Sequence, residues 1–213
     1  MQLYLINGST IIFFGVISYI LGRGISLAIN FSRNSPLSWF KETVRFLFIS
    51  YILMVVSVTL FPLALWIDFN VESIKRGLNL IPIVSIVKDI KLIGIAYDGD
   101  VAFMIGLILR NVGGNILLLM PLGVLAPLLS DKFIGIKNTL LLGLLTSISI
   151  ETIQFLELLA GGRVRTVDVD DVICNVIGTC IGYLIYNVTQ IVGYKYQLKD
   201  LRIKSKEMFI RRG

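Results

Sequence analysis

Five long apolar runs, starting near Gly8, Val44, Val101, Asn138 and Val169, leave this chain few ways to fold. A bilayer offers no water to satisfy backbone N–H and C=O groups, so runs of this kind survive there as helices that bond internally. Each spanning helix needs about 20 apolar residues, and every run meets that length. Composition agrees: of 213 residues 55% are hydrophobic and 16% charged, and the mean hydropathy of +0.83 lies far from soluble averages. The expected fold is all-α, a polytopic membrane helix bundle of about five transmembrane helices. Residues 1–192 read as one transmembrane domain and 193–213 as a basic cytoplasmic tail.

In chain order the spans are expected at about 8–29, 44–67, 101–129, 138–159 and 169–192. Gly22, Arg23 and Gly24 interrupt the first late, Pro62 kinks the second near its end, and Pro121 with Gly123 bends or ends the third. The first run has no basic residue in front of it and is read as a retained span. Between the second and third spans, Ile83, Ile86, Val87, Ile90 and Ile93 make a helical stripe, with Lys88, Asp89 and Lys91 on other faces. This is an interfacial amphipathic helix, or one packed against the end of the bundle. Seven basic residues against two acids after Gly193 place the C-terminus in the cytoplasm, and five spans then put the N-terminus outside.

Chemistry is bounded by what is missing. Without histidine the chain has no Ser-His triad and no histidine-ligated zinc. Cys174 and Cys180, six residues apart on one helix, are about 9 Å apart along its axis, too far for a disulfide. No cofactor, metal or nucleic-acid partner is expected.

Polar residues enter the apolar runs at regular spacings. Ser147, Glu151 and Gln154 share one face of the fourth span, and Asp168, Asp171, Asn175, Gly178 and Gly182 one face of the fifth. Between them a glycine-opened turn carries Arg163 and Arg165. Glu151 lies about 12 Å below the outer end of its helix and Arg110 at a similar depth in the third span. A lone charge near the bilayer centre costs at least about 2.5 to 3.5 kcal/mol, so these two are expected to face each other or a wet cavity. The candidate ligand-binding residues are Arg110, Asn115, Glu151, Gln154, Arg163, Arg165, Asp168, Asp171 and Asn175, around an outward-opening polar pocket. The alternative is a set of interhelical hydrogen bonds and one ion pair that only fix packing. Gly178 and Gly182 read as packing positions.

Glu151-x-x-Gln154, Arg163-x-Arg165-x-x-Asp168-x-x-Asp171, Asn175-x-x-Gly178 and Gly182-Tyr183 together resemble the signature of VanZ-like membrane proteins. Thr59-Leu60-Phe61-Pro62, Asn79-Leu80-Ile81-Pro82, and Asn115 followed by Pro121-Leu122-Gly123 extend the resemblance to about residues 45–185. It implies an association with low-level resistance to teicoplanin, a lipid-bearing glycopeptide that acts outside the membrane on lipid-linked cell-wall precursors.

Two functions follow from these residues. In the first the chain binds an amphiphile: Arg163 and Arg165 contact an anion, and Glu151 and Asp171 hold them in place. Its partners are then membrane lipids, and a lipoglycopeptide antibiotic or a lipid-linked cell-wall precursor. In the second the chain is an intramembrane enzyme, with Glu151, Asp168 and Asp171 around a divalent cation or one carboxylate as general base. The chain lacks a recognised nucleophile motif, and Asp168 is as well placed to cap the fifth helix, so binding is favoured over catalysis.

Overall fold

Each long apolar run forms one helix, as the need to satisfy backbone polar groups in hydrocarbon requires. The computed structural model describes residues 7–31, 38–61, 74–75, 77–160 and 166–195. Among them are six α-helices: α1 (Gly8–Phe31), α2 (Trp39–Leu60), α3 (Val84–Lys91), α4 (Val101–Leu129), α5 (Ile136–Leu159) and α6 (Val169–Lys195). All but α3 are long and apolar enough to cross a membrane, and the all-α bundle is the observed architecture. The tail expected from residue 193 begins within α6, which runs to Lys195, and residues 196–213 lie outside the described part.

Prolines and glycines act differently at three places in the bundle. Helix α2 ends at Leu60, where Phe61 is extended (φ −123°, ψ 148°), the conformation a following proline imposes, and residues 62–67 of the expected span lie outside the described residues. Helix α4 continues through Pro121 and Pro127. Neighbouring helices help to satisfy carbonyls near Pro121: the Tyr51 hydroxyl donates to Leu118 at 2.8 Å and Thr179 Oγ1 approaches the Leu119 carbonyl at 3.5 Å. Helix α1 passes unbroken through Gly22-Arg23-Gly24. There Arg23 reaches across to α2 and donates to both oxygens of Glu42, at 2.6 and 2.7 Å, while Arg45 shares the same carboxylate.

Helices α4 and α6 run parallel and form the most extensive helix contact. Glycine makes it possible: a Cβ at Gly178 would collide with the Ile116 carbonyl and one at Gly182 with that of Met120. The packing role expected of both glycines is what they perform. Helix α5 returns antiparallel along α6, with Gly143 against Thr179 and Ser147 bonded to Asn175. Where α2 meets α4 and α5, Tyr51, Val55, Leu119, Leu122, Ala126 and Ile150 form the apolar core.

The segment between α2 and α4 is tied to the start of α6. Strand β1 (Leu78–Asn79) pairs in parallel with β2 (Val167–Asp168), Leu78 opposite Val167, and the Val167 amide donates to the Gly77 carbonyl at 2.8 Å. From this anchor the chain turns at 80–83 into α3, which packs on α4.

Candidate functional site

Three aspartates gather where β2 becomes α6. Acids are favoured in the first turn of a helix, where unpaired N–H groups leave partial positive charge. Asp168 plays that part, its Oδ1 accepting from the Asp170 amide at 2.8 Å. Each aspartate also binds a different neighbour. Asp168 Oδ1 accepts from Asn79 Nδ2 at 2.8 Å. Asp170, buried, accepts from the Ile83 amide at 2.5 Å and from Ser85 Oγ at 2.6 Å. Asp171 accepts from Asn115 Nδ2 at 2.5 Å. The start of α6 thus holds the 77–79 loop, the entry to α3 and the middle of α4.

These ties frame a cavity of about 400 Å³ between α3, α4 and the start of α6. Helix α4 lines it with Ile108, Asn111, Val112 and Asn115, one face at spacings of three, one and three. Helix α3 contributes Ser85, Ile86, Lys88 and Asp89, and the α6 side Thr166, Asp168, Asp170, Asp171 and Cys174. Four carboxylates thus stand against one ammonium. Such a wall is rich in acceptors and suits a ligand that carries N–H and O–H donors.

The candidate residues divide into three groups. Asn115, Asp168 and Asp171 line the cavity. Glu151, Gln154 and Asn175 stand behind it, in seams between helices. Glu151 accepts from the Asp168 amide at 3.1 Å and so fixes the floor on which the aspartates sit. Gln154 donates to the Thr59 carbonyl at 3.2 Å, at the last turn of α2, and Asn175 donates to Ser147 Oγ at 2.9 Å. The expected pairing of Arg110 with Glu151 is not formed. Arg110 is exposed on α4 beside the lining residue Asn111, and the two ion pairs among the described residues both involve Glu42. Arg163 and Arg165 lie outside the described residues.

Spacing overlooked Asp170, Ser85, Lys88, Asp89 and Asn111. Asp170 lies about 100° around α6 from the Asp171 face, and its partners Ile83 and Ser85 are distant in sequence, so periodicity within one helix does not reveal it. The motif Asn79-Leu80-Ile81-Pro82 carried the available signal, since Asn79 holds Asp168 and the turn delivers the Ile83 amide to Asp170. Among the described residues no group of three or more cysteine, aspartate or glutamate side chains is placed to hold a metal ion.

The family model described as VanZ/LLP1 matches residues 48–190, which takes in the cavity and every helix but α1, the first turns of α2 and the last turn of α6. No curated protein and no solved structure matches the chain.

Proposed function

This chain belongs to the VanZ/LLP1 family, and from that premise we propose that it is a multi-pass membrane protein that binds the polar headgroup of an amphiphile in the cavity between α3, α4 and α6. The observation that carries this reading is an acceptor-rich cavity of about 400 Å³ set among helices that cross the membrane. Packing alone calls for no such space: the Ser147–Asn175 pair and the Gly178 contact already join the helices, and they do so in closed seams. A cavity of this size admits a saccharide or aminoacyl headgroup, whose hydroxyl and amine donors match Asp168, Asp171 and the Asn111 and Asn115 amides.

Arg110, exposed beside the lining Asn111, is suited to an anion where headgroup and tail join, and Arg163 and Arg165, close in sequence to Thr166, to further anionic groups. Teicoplanin offers a single sugar of this size on a glycopeptide that as a whole exceeds the cavity and carries an acyl chain, and a lipid-linked cell-wall precursor resembles it in joining a polar head to an apolar tail. Occupancy by either would connect the chain to low-level glycopeptide resistance.

The test is equilibrium binding of teicoplanin to the purified protein in nanodiscs, with the deacylated antibiotic for comparison. Asp168→Asn combined with Asp171→Asn replaces charged acceptors by neutral ones. At about 1.5 to 3 kcal/mol per charged hydrogen bond, affinity should fall at least about tenfold while the protein remains folded. Unchanged affinity in the double variant would refute the assignment of the cavity.

A further inference from the structure

We infer that the segment from Leu80 to Tyr97 is a membrane-embedded wall of the cavity, its apolar side immersed in lipid hydrocarbon and its polar side facing inward. The inference concerns where this segment lies and stands whether or not a headgroup occupies the cavity. Helix α3 is amphipathic in the inverted sense: Ser85 and Asp89 line the cavity, whereas Val84, Val87 and Ile90 are exposed. The flanking turns continue the apolar surface with Leu80 (69% exposed), Ile81, Ile83 and Ile95 (73% exposed). A ridge of this kind needs an apolar neighbour.

Position along α4 identifies that neighbour as lipid. The cavity-lining residues Ile108 to Asn115 lie seven to fourteen residues inside the N-terminal end of α4, about 10 to 21 Å along its axis. Beyond them toward that end, α4 still exposes Val101, Phe103 and Ile105 on a helix apolar enough to cross the membrane. Hydrocarbon that covers those side chains reaches the level of α3, and Tyr97 at the end of the segment joins it to them, its ring centroid 4.7 Å from that of Phe103. The backbone meets the demand that hydrocarbon makes, since polar groups at the turn are turned inward: the Ile83 amide and Ser85 hydroxyl donate to Asp170, and Asn79 to Asp168. Lys91 is exposed on α3, and its long stem lets the ammonium group reach lipid phosphates. Non-helical backbone at membrane depth is tolerated where it borders a polar cavity, as the 77–83 turn does.

The experiment is site-directed spin labelling of the full chain in phosphatidylcholine–phosphatidylglycerol vesicles, in a Cys174→Ala, Cys180→Ala background checked for native helicity. Labels are placed through Val87→Cys and Ile90→Cys on the ridge, Phe13→Cys on α1 as a lipid-facing reference and Asp98→Cys as an aqueous one. Collision with oxygen relative to a water-soluble nickel chelate is the readout. The expected ratio at both ridge positions is within about twofold of that at Phe13 and several-fold above that at Asp98, because the bilayer core takes up oxygen and excludes the chelate. Ridge labels open to nickel would overturn the inference in favour of a surface segment. Labels shielded from both reagents would overturn it in favour of a protein partner or second copy covering the ridge.

Discussion

Asp170 is the side chain through which the cavity keeps its shape, because among the described residues it alone accepts from both the backbone and the side chain at the entry to α3. Ile83 holds a left-handed conformation there (φ +68°), unfavourable for a β-branched residue and sustained by what surrounds it. Asp170→Ala leaves the Ile83 amide and the Ser85 hydroxyl without their acceptor, at about 1 to 3 kcal/mol each. Hydrogen exchange across 83–93 should then quicken by at least about tenfold, with little change in α5; equal rates in variant and wild type would remove Asp170 from this role. Asp171 was legible because it shares a helical face with Asp168 and Asn175, Asn115 as a polar residue inside an apolar span, and the structure joins the two. Asp170 was not, since its function rests on a contact 85 residues away in the chain. The insertion cost of Arg110 pointed to Glu151 as its partner, whereas Arg110 is exposed on α4.

At the scale of elements the α4–α6 contact decides whether the aspartates meet α4 at all. Gly178→Ala places a methyl group on the Ile116 carbonyl, and the helices must separate, at about 1 to 3 kcal/mol. Gly22→Ala on α1 meets nothing within 4 Å and should be neutral or slightly stabilising. Thermal unfolding in detergent distinguishes the two: a clear fall in midpoint for the first and none for the second. Equal midpoints would mean that the glycine contact does not limit stability. Apolar run length was enough to place α4 at 101–129 and α6 from 169. It did not show the break at Phe61, where the following proline imposes an extended backbone within an apolar sequence that continues. The β1–β2 pair, two residues in each strand, is too short to show any alternation and became visible only in three dimensions.

For the whole molecule the arrangement is a bundle with its cavity off centre, near the N-terminal ends of α4 and α6, and with α1 at its edge. Helix α1 packs on α2 and lies outside the span matched by the family, so the cavity belongs to the shared part of the chain. The basic tail argues that the cavity opens outward. In intact cells a membrane-impermeant thiol reagent should therefore label Asp98→Cys, and label Lys132→Cys only after lysis; the reverse pattern would invert the topology. On the proposed function the cavity holds an amphiphile. A photoreactive benzoylphenylalanine placed at Asn111, in the cavity wall, and separately at Leu144, exposed on α5, tests it in native membranes. After illumination, mass spectrometry of the purified protein should find one discrete amphiphile enriched at Asn111 and the bulk lipid mixture at Leu144. The same bulk mixture at both positions, or no adduct at Asn111, would contradict it.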